Sequence, residues 1–130
     1  MKVLFATPEL APWMKSGGLG EISWSLPAAL LVAGVDVRIL VPAYTPLLAA
    51  FPKARLVADL APAGGELPAS RLLEAKTDSG VSLLLLDCPA FFQRTRTAYL
   101  DADGLDFTDN HLRFGLLSTT AALLRSAARP

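Results

Sequence analysis

The chain has 130 residues, of which 52% are hydrophobic and 18% are charged, and its formal net charge is zero. This is one domain's length with enough apolar residues for a core, which excludes a disordered chain. The lack of a basic excess and of polybasic blocks predicts no nucleic-acid partner and no membrane surface as a partner.

The apolar stretches are too short or too interrupted for a transmembrane helix of ~20 residues. The run at residues 3–6 is cut off by Pro8 and Glu9, before it reaches the length of a signal-peptide core. We therefore expect a cytoplasmic location. Cys88 is the single cysteine, so the chain has no intrachain disulfide and no multi-cysteine metal site, and we expect a buried thiol.

The first 41 residues show the order strand, loop, helix, strand. Residues 2–6 are almost continuously apolar, which is typical of a buried parallel strand, and two prolines make residues 7–14 a loop. Residues 21–33 have helical periodicity, and residues 36–41 predict a second strand. This order predicts a βαβ unit.

Two residues shape the first predicted helix. We expect Pro27 to kink it or to end its first turn, and Gly34 to form its C-terminal cap. The apolar side predicted from the periodicity consists of Ile22, Leu26, Ala29, Leu30 and Ala33.

The middle of the chain predicts a short helix at residues 44–51 and two strands at 54–60 and 71–76 that form an antiparallel excursion. A turn with residues Pro62-Ala63-Gly64-Gly65-Glu66 separates the two strands. Residues 81–87 predict a further, fully buried strand.

The last helix is predicted over residues 109–128, after a polar surface loop at 93–107. We expect Thr108 to cap this helix, and Asp109 and Arg113, four residues apart, to form an ion pair on its surface. Its predicted apolar side includes Leu112, Leu116, Ala121, Leu124 and Ala128.

The histidine and the loop carboxylates do not form a convincing metal or catalytic pattern. His111 is the single histidine and is expected to be exposed. Asp101, Asp103 and Asp106 lack the spacing of a calcium-binding EF-hand loop, so we expect solvated carboxylates and no metal.

The stretch between the first strand and the first helix reads Lys15-Ser16-Gly17-Gly18-Leu19-Gly20-Glu21. Three glycines in four positions allow close approach of the backbone to a ligand. Free backbone N–H groups at the start of a helix favour an anion, and the lysine adds a positive charge. The stretch therefore predicts a turn that binds a phosphate or sugar phosphate, although a tight turn without a ligand would contain the same glycines.

Two other classes of enzyme fit this pattern poorly, and a third, non-catalytic class stays open. A dinucleotide oxidoreductase has its glycines directly after the first strand and an acid at the end of the second, whereas here the glycines begin at position 17 and the second strand ends in Leu40-Val41-Pro42. A P-loop is disfavoured because Lys15 precedes the glycines. A non-catalytic α/β module that binds a glucan or a partner chain remains an alternative.

Three ordered blocks of residues resemble bacterial glycogen synthases and plant starch synthases. The glycine-rich stretch is similar to the K-x-G-G-L-G-D signature of that family. The second block is Asp36-Val37-Arg38 with Val41-Pro42-Ala43-Tyr44. The third comprises Leu86-Asp87-Cys88-Pro89-Ala90-Phe91-Phe92, Tyr99-Leu100-Asp101, Gly104, Asp106, Asp109-Asn110 and Arg113-Phe114. The resemblance is weakest from about residue 47 to 80.

This resemblance implies a Rossmann-like α/β sandwich with a mostly parallel sheet. Residues 1–130 would form the incomplete N-terminal domain of a GT-B fold, without the C-terminal nucleotide-binding domain that would be its intramolecular partner. The implied activity is transfer of glucose, with retention, from ADP-glucose to the non-reducing end of an α-1,4-glucan in glycogen biosynthesis. We expect the fragment alone to be inactive, with no catalytic residue of its own, and prone to self-association through an exposed sheet edge or apolar face.

The resemblance also implies roles for five residues. Lys15 would reach the phosphates of the donor, and Gly17 and Gly18 would bring backbone N–H groups near them. Glu21, which stands where the family usually has Asp, and Tyr99 would lie on the sugar or acceptor side. No metal or cofactor is implied, because Lys and Arg charges stabilise the leaving diphosphate.

Overall fold

The computed structural model describes residues 1–62, 64–94 and 97–127, with side chains of the last helix described as far as Arg125. The strands are β1 Lys2–Ala6, β2 Asp36–Pro42, β3 Arg55–Leu60, β4 Ser70–Lys76 and β5 Ser82–Asp87. The helices are α1 Gly18–Val32, α2 Thr45–Ala50, α3 Pro89–Phe92 and α4 Asn110–Ala127. Within these described ranges, no helix has the length and apolar character needed to cross a membrane.

The five strands form one sheet in the order β1-β2-β5-β4-β3. β1, β2 and β5 pair in parallel, whereas β4 runs antiparallel to both of its neighbours. Four of the five strands therefore point in one direction, which confirms the predicted α/β class with a mostly parallel sheet. In the inner strands, residues 39–42 of β2 and residues 83–87 of β5 are buried without interruption, which explains the apolar runs in both sequences.

The β3–β4 pair confirms the predicted antiparallel excursion. Arg55 pairs with Glu74 and Leu60 with Ser70 across the two strands. In the turn between them, Gly64 has a positive φ of 101°, a conformation that glycine adopts without strain. Ala63 of the predicted turn lies outside the described residues.

Helix α1 begins three residues before the predicted start, at Gly18, and continues to Val32 with Pro27 inside it. The expected end of the first turn at Pro27 is therefore wrong, whereas the alternative, a kink at this residue, stays a prediction. The predicted cap is confirmed: Gly34 has a φ of +89°, and the N–H of Val35 donates to the carbonyl of Leu30 at 2.9 Å. Low helix propensity of glycine explains the misplaced start.

Of the predicted apolar side of α1, Leu30 alone packs against the core, and the other four residues are exposed. Ile22 and Leu26 are 52% and 42% exposed, Ala29 and Ala33 are also exposed, and Leu30 is half-buried. The side toward the core carries Gly20, Ser23, Trp24, Pro27, Ala28 and Leu31. The periodicity revealed the stripe of larger apolar residues, but the side that packs on the core includes Gly20, Ser23 and Ala28, which are too small or too polar to stand out in an apolar pattern. The expected self-association stays a prediction.

Helix α4 confirms the predicted last helix, although it begins at Asn110 and the predicted end at Ala128 lies outside the described residues. Leu116 is buried, and Leu112, Ala121 and Leu124 pack partly buried against the core. Asp109, rather than Thr108, is the residue that directly precedes the helix.

Arg113 is buried in the core and is not part of a surface ion pair with Asp109, so that prediction is wrong. Its side chain is 1% exposed and donates to the carbonyls of Phe91 at 2.6 Å and Ala98 at 2.9 Å. It also donates to Asn110 Oδ1 at 2.7 Å. Spacing suggested the pair, but a guanidinium can reach several backbone carbonyls at once, and burial favours those contacts.

The partner of Asp109 is Arg94, which binds both carboxylate oxygens at 2.7 Å. This hydrogen-bonded guanidinium lowers the pKa of Asp109 below its usual value. The ring of Phe107 lies between Arg94 and Arg113, at 5.2 and 4.4 Å from the two guanidinium carbons. These contacts attach the segment after α3 to the start of α4.

Replacement of Arg113 by methionine removes the donors from two buried carbonyls, while it keeps an unbranched side chain of similar length. We expect Arg113→Met to lower the free energy of unfolding by about 2–5 kcal/mol. Arg125→Met, on the exposed part of the same helix, should change it by less than about 0.5 kcal/mol. Urea unfolding followed by circular dichroism measures both, and equal effects would contradict the anchoring role of Arg113.

Candidate functional site

The candidate site lies where β1, β2 and β5 end. Ala6 pairs with Leu40 of β2, and Pro42 pairs with Leu86 of β5, so the carboxyl ends of the three parallel strands share one edge of the sheet. Ligands of open α/β sheets bind at this edge. The segment that follows β1 runs along it and leads into the glycine-rich stretch and α1.

This segment is an ordered, largely buried loop. Leu10 and Met14 are buried and exchange two backbone hydrogen bonds of 2.8 and 2.9 Å. The hydroxyl of Tyr44, which follows β2, donates to the carbonyl of Pro8 at 2.8 Å. Thr7 and Ser23 share a buried hydroxyl–hydroxyl bond of 2.7 Å, which joins the loop to α1.

Glu9 is the charged centre of the site and is only 4% exposed. Its Oε1 accepts the backbone N–H of Ser16 at 2.8 Å, and its Oε2 accepts the Ser16 hydroxyl at 3.0 Å. The backbone N–H of Gly17 also interacts with this carboxylate. The hydroxyl of Tyr99 donates to Oε2. The carboxylate therefore joins the loop after β1 to a residue far along the chain.

The hydrogen bonds outweigh the effect of burial on Glu9. Burial alone would raise the pKa of this carboxyl, but the donors on Tyr99, Ser16 and Gly17 favour its ionised form and bring the pKa below its usual value of 4.5. The chain therefore holds a buried anion next to the helix start for which a free anion site was predicted. The backbone N–H groups of Ser16 and Gly17 already have this internal partner.

Lys15 and Glu21 form an ion pair at the surface. The Lys15 ammonium lies 2.5 Å from Glu21 Oε1, and the two side chains are 47% and 57% exposed. An exposed pair of this kind contributes at most about 1 kcal/mol, so an incoming anion can displace the carboxylate at low cost. The structure thus brings together two of the five predicted site residues in direct contact.

The glycines of the stretch have different surroundings. Gly17 precedes α1 and Gly18 begins it, both are exposed, and a Cβ at either position would meet no atom within 4 Å. Gly20 is buried, and a Cβ there would lie 2.5 Å from Lys15 Cβ and 3.3 Å from Glu9 Oε1. Of these three glycines, close packing thus requires Gly20 alone, which lies directly against the Cα and Cβ atoms of Lys15.

Tyr99 lies in the segment after α3 and is half-buried. Its ring centroid is 5.7 Å from that of Phe114, and its carbonyl accepts a 3.0 Å hydrogen bond from Asn110 Nδ2. Burial, together with its bond to the Glu9 carboxylate, raises the pKa of Tyr99. The structure therefore connects Tyr99 with the loop of Lys15, through Glu9.

Three residues considered from the sequence lie outside this network. His111 is exposed, as expected. Cys88 is a buried free thiol, as expected, and burial raises its pKa. Asp101 accepts the backbone N–H groups of Asp103 and Leu105 within its own loop. In the part of the chain that the structure describes, no group of three or more metal-ligating side chains occurs.

Glu9 is the residue that sequence reasoning missed. It entered that reasoning only as the acid that interrupts an apolar run. The available signal was an acid between Pro8 and the apolar Leu10 and Ala11, in a segment too apolar for an exposed loop. An acid in such surroundings needs hydrogen-bond donors, because burial of an unpaired carboxylate is very costly.

The family model of the starch synthase catalytic domain matches residues 2–128. The chain belongs to this family. It is similar to the glycogen synthase of Aromatoleum aromaticum, with 55% identity over 100% of this chain and 26% of that protein. The glycogen synthase of Dechloromonas aromatica is 54% identical, over 100% of this chain and 27% of that protein. The chain thus spans about a quarter of the length of these curated relatives.

A solved structure supports the fold of this family member. It is the catalytic domain of Starch Synthase IV from Arabidopsis thaliana bound to ADP and acarbose, which matches with a TM-score of 0.70 and 24% identity. The match covers 99% of this chain and 26% of that chain. The α/β fold with a mostly parallel sheet, which the resemblance implied for a GT-B fragment, is therefore confirmed.

The two classes of glycine can be separated by substitution. Gly20→Ala forces its Cβ against Lys15, so we expect the free energy of unfolding to fall by about 1–3 kcal/mol. Gly18→Ala meets open space at the start of α1 and should leave it unchanged or raise it by up to about 1 kcal/mol. Urea unfolding of both variants measures this difference, and a Gly20→Ala variant as stable as Gly18→Ala would contradict the close packing.

Proposed function

We propose that this chain is the N-terminal part of a glycogen synthase, which transfers glucose from ADP-glucose to the non-reducing end of an α-1,4-glucan with retention of configuration. The observation that carries the proposal is the exposed Lys15 beside the start of α1, at the carboxyl edge of the sheet, in a chain 55% identical to a glycogen synthase. The ADP bound to the related starch synthase is consistent with a nucleotide-sugar donor.

In this proposal Lys15 binds the donor diphosphate. The residue before α1, Gly17, has no side chain with which to cap the helix, so the positive end of the helix dipole adds to the lysine charge. Gly18 contributes its backbone N–H at the helix start without a Cβ that would obstruct a ligand. When the donor binds, Lys15 leaves the Glu21 carboxylate and donates to phosphate oxygens instead. The new hydrogen bonds are charge-assisted, because both the ammonium group and the phosphate are ionised.

Glu21 and Tyr99 are proposed for the sugar or acceptor side. Glu21 is exposed and, once Lys15 turns to the donor, its carboxylate can accept hydrogen bonds from sugar hydroxyls. The Tyr99 hydroxyl already donates to Glu9, so its ring and its remaining acceptor capacity are what it offers a glucan. We assign no catalytic residue to this chain.

We further propose that the active site is completed by a C-terminal nucleotide-binding domain of the same protein. The relatives are about four times as long as this chain, since it covers 26% of the first of them. Residues 1–130 would then form part of the N-terminal Rossmann-like domain, and the chain alone would not turn over. A cytoplasmic location fits this biosynthetic role.

The donor site can be tested by calorimetric titration of ADP-glucose into this chain at low salt, where phosphate contacts are least screened. We expect weak binding, which Lys15→Ala reduces about tenfold or more, because a charge-assisted hydrogen bond contributes about 1.5–3 kcal/mol. The matched control is Lys53→Ala, which removes an exposed lysine from the turn before β3, at the other end of the sheet.

The same titration separates the rival function. If Lys53→Ala weakens binding as much as Lys15→Ala, or if the wild type does not bind at several millimolar, this chain has no donor site of its own. A chain that binds a malto-oligosaccharide but no ADP-glucose would instead be the non-catalytic glucan-binding module. The exposed apolar residues Ile22 and Leu26 of α1 favour a partner chain as the ligand of such a non-catalytic module.

A further inference from the structure

The carboxylate of Glu9 joins two segments that are distant in sequence. On one side it holds Ser16, the residue directly after Lys15. On the other side it accepts the hydroxyl of Tyr99, which is 90 positions away in the chain. Both oxygens are in use and the side chain is almost wholly buried, so solvent cannot replace either set of bonds.

The Lys15 side of this network leaves little freedom to the lysine backbone. The next residue, Ser16, donates its backbone N–H to Glu9 Oε1 at 2.8 Å. Gly20 packs directly against Lys15, so a Cβ added at Gly20 would lie 2.5 Å from Lys15 Cβ. The ammonium group remains exposed, but the point from which it extends is fixed.

The Tyr99 side is equally constrained. Asn110, at the start of α4, donates to the Tyr99 carbonyl, and the ring packs against Phe114 of the same helix. The helix itself is held by the buried guanidinium of Arg113, which donates to Ala98 directly before Tyr99. The position of the Tyr99 hydroxyl is therefore set by α4, and Glu9 transmits that position to the loop after β1.

We propose that Glu9 is a positioning residue, which fixes the Lys15 loop against Tyr99 so that the donor-phosphate side and the sugar side of the site are placed together. This inference rests on the proposed function for its ligand, but not for its geometry. The side chain of Glu9 is only 4% exposed and both of its oxygens accept hydrogen bonds from the protein, so we assign it no contact with the ligand. Its contribution is preorganisation of groups that do contact the ligand.

A carboxylate suits this position better than an amide. The Ser16 N–H can only donate, so the oxygen of a glutamine would take that place. The NH₂ group would then face the hydroxyls of Ser16 and Tyr99, which would have to accept instead of donate. Glu9→Gln thus keeps the size of the side chain while it reverses or breaks the bond to Tyr99.

The first test requires no ligand and uses ¹⁵N-labelled wild type, Tyr99→Phe and the matched control Glu74→Gln. Glu74 binds Arg55 on the β3–β4 hairpin, so its variant removes a hydrogen-bonded carboxylate elsewhere. We expect Tyr99→Phe to shift the amide resonances of Ser16 and Gly17, and to raise the pH at which they respond to protonation of Glu9. Glu74→Gln should change neither.

The second test is titration of ADP-glucose into Glu9→Gln, Tyr99→Phe and the double variant. Each single variant should weaken binding about fivefold, and the double variant should be no weaker than Glu9→Gln, because contacting residues are non-additive. A purely structural role would instead lower the thermal midpoint of unfolding without this pattern in affinity. The thermal midpoint of every variant is measured alongside.

Two results would overturn the inference. One is a Tyr99→Phe variant whose Ser16 and Gly17 resonances match those of the wild type in position and pH response. The other is a pair of affinity losses that multiply in the double variant. If the wild type binds no ADP-glucose, the proposed function fails, whereas the resonances of Ser16 and Gly17 still decide whether Glu9 positions the loop. If Glu9→Gln does not fold, Tyr99→Phe alone decides it.

Discussion

The burial of one carboxylate constrains the whole candidate site. Glu9 is 4% exposed, and an ionised carboxylate in such a place is tolerated only when donors surround it. The donors come from Ser16, Gly17 and Tyr99, so the loop after β1 and the segment before α4 must both fold correctly to satisfy it. Because Glu9 needs donors from both places, it couples the loop after β1 to the segment before α4, which belong to no common strand or helix.

The sheet positions the loop after β1, and a second buried charge, Arg113, positions the segment that carries Tyr99. Parallel pairing of β1, β2 and β5 brings the exits of the three strands to one edge, where the Tyr44 hydroxyl holds the loop at Pro8. On the far side, Arg113 binds the carbonyls of Phe91 and Ala98 and so fixes the segment that carries Tyr99. The buried anion Glu9 is surrounded by donors and the buried cation Arg113 by acceptors. Together they position the Lys15 loop and the Tyr99 segment of the site.

Local pattern and global geometry explain which features the sequence predicted. The βαβ unit, the antiparallel excursion and the last helix followed from apolar runs and turn residues, which depend on neighbours in sequence. The start of α1 was misplaced because glycine has a low helix propensity, yet Gly18 and Gly20 lie in the first turn of the helix. The roles of Glu9 and Arg113 were missed because their partners are distant in sequence, and no spacing rule describes them. Lys15 was found from the glycine-rich stretch itself and Tyr99 from the family resemblance, but the link between them was not found.

The measurement that tests this account most directly is a pH titration of Glu9, followed through its ¹³Cδ resonance in the folded chain. The account predicts a pKa below 4.5, because donors on Tyr99, Ser16 and Gly17 outweigh burial. A folded-state pKa below the unfolded value also means that Glu9 stabilises the fold above that unfolded value, and that this contribution is lost as the pH falls through the folded value. A pKa at or above 4.5 would contradict the account, since it would mean that burial dominates and that the network does not hold an ionised carboxylate.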